Sequence, residues 1–291
     1  MAKIMVIGAS GFLGREVLPA YAAGHQVVGL SRRGGPGVEA VDIRDRSALA
    51  GAVARHAPDA VILLAAYRDP DRCEEDAAEA RRLNVEPART LCDVLPARTH
   101  LLFTSTDYVF DGEQPPYREE HRPHPINVYG QTKVEAENLL ASRPRSVVLR
   151  IPLLIGGGAT LADSGFIGQM VQGVRERRRQ LLDDVLMRFP TWTRDVAGAA
   201  RYLTERGAEG LYHLSGPRGG TRYAWTVELA RLLGLPHDHL EPSRAVVARK
   251  AGRPRDSQLA DERLRAFGFG RRTDFADVVR TVLRELGEPA G

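Results

Sequence analysis

Short, strand-like runs alternate with longer stretches of mixed polarity through the first half of the chain. These runs cover residues 4–7, 25–30, 60–66, 100–105 and 146–150. The run at 60–66 is unbroken by any polar residue, which is typical of a parallel strand covered on both faces. Regular alternation of such strands with helical segments predicts an α/β fold with a doubly wound parallel sheet.

A glycine-rich turn follows the first predicted strand and leads straight into a helical segment. Its spacing is Gly8-x-x-Gly11-x-x-Gly14. Such a turn lets the backbone approach a pyrophosphate, and the helix N-terminus then offers free N–H groups. The motif therefore predicts a Rossmann-type dinucleotide site rather than an ordinary glycine-rich turn. We expect cofactor contacts from Gly8, Ser10, Gly11, Phe12, Leu13 and Gly14.

The end of the second predicted strand indicates which dinucleotide is bound. NAD-preferring sites usually carry an acidic residue there, but this chain has Ser31-Arg32-Arg33. A hydroxyl and two guanidinium groups suit a 2′-phosphate. The pattern favours NADPH, with NADH and a simple solvated loop left as alternatives. Asp42 and Ile43 are expected near the adenine.

Later strands end on small or hydroxyl-bearing residues. Because the carboxyl ends of parallel strands meet at one edge of the sheet, these residues are expected to converge there. Asn84, at a break between helices, is expected either to support the site or only to mark that break. The further cofactor-binding candidates are Ala65, Ala66, Tyr67, Asn84, Ser105 and Ile151.

The strand pattern loosens beyond residue 150, which suggests a second, smaller unit. A run at 211–215 fits a last strand of the main sheet. We expect a cofactor-binding unit and a smaller C-terminal substrate-binding unit. The first takes residues 1–150 with about 191–215, and the second takes about 151–190 and 216–291.

Tyr129 and Lys133 form the most informative pair of polar residues. Pro125 and Asn127 mark the start of a helix, on which positions i and i+4 share a face. A nearby cation favours the phenolate and lets the phenol exchange a proton with a carbonyl oxygen. A surface helix with a half-buried tyrosine and a solvated lysine would look the same. The choice of lysine is informative, however, because only three of the 41 basic residues are lysines.

Composition narrows the function classes. The net charge is +4, but the arginines are mixed with acids, as at 175–179, so we expect no nucleic-acid partner. No apolar run approaches membrane-spanning length. Cys73 and Cys92 lack the spacing of a disulfide framework or zinc site, and His237–His239 fits a polar loop. We therefore expect a cytoplasmic protein without a metal site.

Four motifs together resemble the extended short-chain dehydrogenase/reductases, and within them the dTDP-4-dehydrorhamnose reductase group. They are the glycine turn, the run 105–112, Asn127-x-Tyr129-Gly130-x-x-Lys133 and Arg253-Pro254-x-x-Ser257-x-Leu259. The runs 115–120, 150–152 and 188–191 are similar to a second branch, the regulatory β-subunit of methionine adenosyltransferase.

The resemblance implies specific roles for these residues. In a reductase, Tyr129 would donate a proton to a ketone oxygen, Lys133 would lower the pKa of Tyr129 and bind the nicotinamide ribose, and Thr106 would hold the substrate oxygen. The small-molecule substrate would be a sugar nucleotide. The implied substrate-binding residues are Thr106, Asp107, Tyr108, Val109, Phe110, Trp192 and Arg253.

Two other functions stay open. The second branch implies a non-catalytic, NADP-binding regulatory subunit whose partner is a methionine adenosyltransferase. An epimerase or dehydratase of the same superfamily would use the same fold and return the hydride to its substrate. A homodimer is also left open.

Overall fold

The computed structural model describes residues 1–245 and 249–288. Its strands are β1 (Lys3–Ile7), β2 (Gln26–Ser31), β3 (Val38–Ala40), β4 (Ala60–Leu63), β5 (His100–Thr106), β6 (Ser146–Ile151), β7 (Leu154–Ile155), β8 (Gln180–Asp183), β9 (Thr191–Trp192), β10 (Gly210–His213) and β11 (Leu240–Ser243). Its helices are α1 (Gly14–Ala22), α2 (Arg46–His56), α3 (Pro70–Glu75), α4 (Ala77–Asn84), α5 (Glu86–Val94), α6 (Val128–Ala141), α7 (Gly165–Glu176), α8 (Thr193–Glu205), α9 (Arg222–Leu232), α10 (Glu262–Ala266) and α11 (Phe275–Glu285).

The main sheet has seven strands in the order β10-β6-β5-β4-β1-β2-β3, and every pairing is parallel. Along the chain, β2 and β3 are added on one side of β1, and β4, β5, β6 and β10 are then added on its other side, so the switch point lies between β1 and β4. At such a switch point the loops at the carboxyl ends diverge and leave a crevice, where ligands of this fold class bind. The predicted Rossmann-type sheet is therefore confirmed.

Strand β1 shows why the predicted strands read as unbroken apolar runs. Ile4 and Val6 face the core on the side of α1 and α8, while Met5 and Ile7 face the core on the side of α2, α5 and α6. Both faces of the sheet are covered by helices. Polar residues would then be buried on either side, so every position of β1 after Lys3 is apolar.

A smaller unit lies beyond the main sheet. It contains the two-strand pairs β7·β9 and β8·β11, and its apolar core includes residues from α7, α9 and α11. One segment departs from the expected division of the chain. Leu264 of α10 is buried in the core under the main sheet, together with Tyr212 of β10, although α10 falls within the 216–291 segment.

Asparagine and aspartate side chains set two helix starts. Asp45 accepts hydrogen bonds from the amides of Ser47 and Ala48, and this begins α2. Asn127 accepts one from the Gly130 amide at 2.8 Å, which begins α6 at Val128. Such caps satisfy amides that have no partner within the helix. As a result Tyr129 lies in the first turn of α6.

In the part of the chain that the structure describes, no helix is long and apolar enough to cross a membrane.

Candidate active site

A cleft of about 580 Å³ lies at the carboxyl edge of the main sheet. Its walls come from the segments that follow β1, β2, β3, β4, β5 and β6, together with the start of α6 and, from the smaller unit, Leu154 and Arg188. This volume lies in the usual range for small-molecule sites. The sequence-predicted residues that line it are Gly8, Ser10, Gly11, Phe12, Leu13, Gly14, Ser31, Arg32, Asp42, Ile43, Ala65, Ala66, Ser105, Thr106, Asp107, Tyr108, Tyr129, Lys133 and Ile151.

The glycine turn forms one end of the cleft. Gly8 has a φ of +95°, and a Cβ there would lie 2.9 Å from the amide nitrogen of Ala65. A Cβ at Gly14 would lie 2.2 Å from the carbonyl oxygen of Gly8. The turn is therefore closed tightly against the start of α1, where no side chain caps the helix. This arrangement fits the phosphates of a dinucleotide, because they need close backbone approach and a free helix N-terminus.

The next part of the cleft follows β2. Arg32 lines the cleft and, within the described residues, makes no ion pair. Arg33 does not line the cleft, so the structure does not bring it to the predicted phosphate site. Asp42 receives hydrogen bonds from the side chain and amide of Arg44, which lower the pKa of Asp42 to about 2. One cation is thus available here for a 2′-phosphate, while the Asp42 carboxylate is already engaged.

Two predicted cofactor contacts prove to be supports outside the cleft. Asn84 accepts a hydrogen bond from the Tyr67 amide at 2.7 Å and donates to the Tyr67 carbonyl at 3.2 Å. It also donates to the Thr132 hydroxyl at 2.9 Å. Asn84 therefore ties the loop after β4 to α6. This agrees with the supporting role that was one of the alternatives for Asn84, and neither Tyr67 nor Asn84 lines the cleft.

The other end of the cleft contains the Tyr129–Lys133 pair. The first turn of α6 packs against the short 3-10 turn Asp107–Val109. A Cβ on Gly130 would lie only 2.1 Å from the carbonyl oxygen of Tyr108. Glycine is therefore required at 130 for Tyr129 to face the end of β5. Sequence reasoning did not assign a role to Gly130, although its place directly after Tyr129 was a visible signal.

Lys133 is buried rather than solvated, with 1% of its surface exposed. Its Nζ donates to the carbonyl oxygen of Thr104 at 2.7 Å and lies 3.8 Å from the centroid of the Phe103 ring. Burial lowers the pKa of Lys133 to about 7, and the Glu137 carboxylate acts in the opposite direction. The ammonium is thus held at the base of the cleft and is easily deprotonated.

Burial raises the pKa of the Tyr129 phenol, while a hydrogen bond with Thr106 acts in the opposite direction. Lys133 was expected to lower this pKa; its ammonium bonds Thr104 and is not among the largest influences on the phenol. The role of Lys133 in lowering the pKa of Tyr129 stays a prediction. A phenol with a raised pKa keeps its proton at neutral pH, but it is a weaker acid than a group whose pKa lies near that pH, so proton donation requires the phenolate to be stabilised.

Two hydroxyls at the end of β5 differ in their hydrogen bonds. Thr106 donates to Asp107 at 3.1 Å and accepts from the Tyr108 amide at 3.2 Å. Asp107 also accepts a short hydrogen bond from Ser257, so it acts as a buried support for the turn. Ser105 Oγ is buried in the cleft wall without a partner among the described residues. An unpartnered buried hydroxyl in this wall fits a ligand that hydrogen-bonds it.

Comparison with known proteins identifies the family. The family model for the RmlD substrate binding domain matches residues 2–288. The chain belongs to this family. Methionine adenosyltransferase 2 subunit beta from Bos taurus is 35% identical over 94% of this chain and 84% of its own length. A probable dTDP-4,6-dihydroxy-2-methyloxan-3-one 4-ketoreductase from Streptomyces antibioticus is 33% identical over 97% and 95%.

A solved structure supports the same fold. The dTDP-4-dehydrorhamnose reductase from Bacillus anthracis, in complex with NADP, superimposes with a TM-score of 0.86. The match covers 98% of each chain at 23% identity, so it bears on the fold alone.

Four of the substrate-binding candidates of this RmlD-family chain lie outside the cleft. Val109 and Phe110 are fully buried in a small cluster, and Trp192 is buried in the core of the smaller unit. Arg253 donates to Asp71 at 2.9 Å, with 9% of its side chain exposed. All four have structural roles in place of the expected substrate contacts. Three of the side chains pack against apolar neighbours, and the fourth, Arg253, is paired with Asp71.

Arg188 is one of the cleft residues that the sequence did not predict, and Arg68 and Thr104 are others. Arg188 lines the cleft from the segment between β8 and β9, beside Tyr108. Apart from the run 188–191, which is similar to the regulatory branch, no sequence pattern indicated that Arg188 lines the cleft. Its position depends on how the smaller unit packs near the main sheet, which is a tertiary feature.

Proposed function

We propose that this protein reduces a keto group on a nucleotide-linked deoxysugar, with NADPH as the hydride source and Tyr129 as the proton donor. One observation carries the proposal. Tyr129, Thr106 and Lys133 meet at one end of a cleft whose other end is the glycine turn. The family relationship and the resemblance to sugar-nucleotide ketoreductases support the same substrate class.

The cleft fits the cofactor by several independent features. The turn Gly8–Gly14 would hold the pyrophosphate, and Arg32 would bind the 2′-phosphate, which favours NADPH over NADH. Ala65, Ala66, Ser105 and Ile151 would line the remaining length of the cofactor. When bound, the reduced nicotinamide supplies a hydride to the carbonyl carbon.

The side chains of this chain would manage the proton. As the carbonyl carbon gains the hydride, the oxygen gains negative charge and takes the proton from the Tyr129 hydroxyl. The products are an alcohol, the oxidised cofactor and a phenolate that solvent later reprotonates. Thr106 would hold the same oxygen, because it lines the same end of the cleft as Tyr129. The Lys133 ammonium would stabilise the transient phenolate.

The test is NADPH oxidation, followed by absorbance at 340 nm, with a panel of dTDP- and other NDP-linked 4-keto-6-deoxysugars. We expect one member of the panel to be reduced, with NADPH preferred over NADH. Tyr129→Phe should lower turnover by roughly 100-fold or more, because it removes a general acid. NADPH should still bind, since the ring remains in place.

The matched control is Tyr202→Phe, which removes a hydroxyl on α8 outside the cleft. It should retain full turnover. Unchanged turnover in Tyr129→Phe would contradict the mechanism, and tight NADPH binding without oxidation of any panel member would contradict the substrate class.

A second candidate function rests on the 35% identity with methionine adenosyltransferase 2 subunit beta. Under this alternative the chain binds NADP and regulates a catalytic partner without turning over a ketone. Co-purification with the methionine adenosyltransferase of the same host tests it. A complex formed in the presence of NADP, with an unchanged yield for Tyr129→Phe, would favour this function, and failure to recover the enzyme would count against it.

A further inference from the structure

The guanidinium of Arg188 enters the cleft from the smaller unit. It lies on the same cleft wall as Thr106 and Tyr108, and Tyr129 lines the cleft nearby. The guanidinium carbon is 5.8 Å from the centroid of the Tyr108 ring, and the Tyr108 and Tyr129 rings are 6.0 Å apart. Arg188 is therefore close to the residues that would handle the proton, at the end away from the glycine turn.

The backbone of Arg188 is fixed on two sides. Its amide donates to the Gly220 carbonyl at 2.9 Å, and the Gly220 amide donates back at 3.0 Å. The indole of Trp225 donates to the Arg188 carbonyl at 3.3 Å. A cation on such a fixed base loses little conformational entropy when it binds a ligand.

The charge of Arg188 is not neutralised by a nearby acid. Nη1 donates to the carbonyl oxygens of Met187 and Pro254, but Arg188 makes no ion pair within residues 1–245 and 249–288. The closest acid in the cleft wall, Asp107, is buried and already bonded by Thr106 and Ser257. A guanidinium has five N–H donors, so several stay available to a ligand.

Two other arginines near this region are already paired, whereas Arg68 also lines the cleft and makes no ion pair among the described residues. Arg253 is bonded to Asp71, and Arg150 is bonded to Glu137 through two hydrogen bonds. Arg188 thus differs from them in facing an open cleft with its charge unmatched. A planar guanidinium in this situation is well suited to phosphate oxygens.

We propose that Arg188 binds the diphosphate of a nucleotide-linked substrate and so sets the preference of the site for anionic ketones. The inference rests on the proposed function, because it names the group by which that substrate is held. It places the diphosphate at the Tyr108 end of the cleft, whereas the phosphates of the cofactor lie at the glycine turn.

The experiment measures ligand binding by titration calorimetry on the full chain saturated with NADPH. The probes are dTDP, UDP and thymidine, which separate the diphosphate from the nucleoside. Arg188→Met should weaken binding of dTDP or UDP roughly 10-fold or more, because it removes hydrogen bonds to a charged group. Thymidine binding and NADPH binding should change by less than about twofold.

Two further variants separate charge from packing. Arg188→Lys keeps the charge without the planar fork and should recover part of the lost affinity. Arg206→Met removes a guanidinium that stacks on Tyr202 at 3.7 Å, outside the cleft, and should leave all three probes unchanged. If a panel ketone is turned over, Arg188→Met should raise its KM more than it lowers kcat.

Three results would overturn the inference. The first is equal dTDP and UDP affinity in the wild-type protein and Arg188→Met. The second is an equal loss of NADPH affinity in Arg188→Met, which would assign the guanidinium to the cofactor. The third is no measurable binding of either diphosphate to the wild-type protein. The proposed reduction fails separately, if Tyr129→Phe retains turnover, so the two failures are distinguishable.

Discussion

The two ends of the cleft are built in different ways. The end at the glycine turn consists of short segments that directly follow β1, β2 and β4, and their backbone shape is set within a few residues. The Tyr108 end is assembled from β5, α6 and a segment of the smaller unit, which are far apart in the chain. Most residues expected at the glycine-turn end line the cleft, whereas four residues expected at the Tyr108 end do not line it.

The difference teaches where a sequence motif is informative about contact with a ligand. A turn between a strand and a helix has few conformations, so its residues point where the motif predicts. A side chain placed by the packing of two units competes with every neighbour for space and hydrogen bonds. Trp192 packs in an apolar core and Arg253 binds Asp71, so neighbouring residues of the chain already engage both side chains.

The largest effect should come from replacing a glycine by alanine at either end of the cleft. In Gly14→Ala the new Cβ would lie 2.2 Å from the Gly8 carbonyl, and in Gly130→Ala it would lie 2.1 Å from the Tyr108 carbonyl. Both should lose about 1–3 kcal/mol or more of unfolding free energy, because backbone atoms must shift. Gly14→Ala should also lose NADPH affinity, whereas Gly130→Ala should lose turnover and keep NADPH binding.

Chemical denaturation and fluorescence titration with NADPH measure these effects. Gly270→Ala is the control, because no atom lies within 4 Å of the position of its new Cβ. It should change stability by less than about 0.5 kcal/mol. Equal loss of NADPH affinity in Gly14→Ala and Gly130→Ala would show that the two ends are not independent.

A second effect tests the buried lysine at the Tyr108 end of the cleft. The pKa of Lys133 is about 7 in the folded protein, against 10.5 for the usual exposed group. Between these values the unfolded chain binds a proton that the folded chain has lost, so stability rises as the pH increases. Relative to Lys133→Met, the wild-type protein should gain about 2 kcal/mol of unfolding free energy from pH 7 to pH 9.

Urea denaturation at the two pH values measures this gain. Lys250→Met is the matched control, since Lys250 is exposed and pairs with Glu75 at the surface. Its pH dependence should follow that of the wild-type protein. The same slope in Lys133→Met and wild type would mean that Lys133 stays protonated in the fold.

The smallest effect should come from replacing Arg253, the arginine of the motif Arg253-Pro254-x-x-Ser257-x-Leu259. Arg253→Met removes the ion pair with Asp71, whose side chain is 35% exposed and can be rehydrated. We expect a loss of about 1 kcal/mol of stability, with kcat/KM within about twofold of the wild type. A double-mutant cycle with Asp71→Asn should recover most of the loss as coupling between the two residues. A tenfold rise in KM would instead return Arg253 to the substrate-binding group.

Local patterns predicted the fold well. Strand-like runs located six of the seven strands of the main sheet, Asn127 located the start of α6, and the glycine spacing located the cleft. Segment boundaries were less certain. The 216–291 segment was assigned to the smaller unit, but Leu264 packs under the main sheet, because its partner Tyr212 lies on the edge strand β10.

The sequence by itself determined the parallel sheet, the glycine turn and the shared helix face of Tyr129 and Lys133, because each depends on the order of nearby residues and on their allowed backbone conformations. Only the tertiary structure decided that Lys133 is buried, that Arg253 is paired with Asp71 and that Arg188 faces the cleft. These properties depend on which distant groups come within a few ångströms. Burial and charge are set by those neighbours, and no local pattern specifies them.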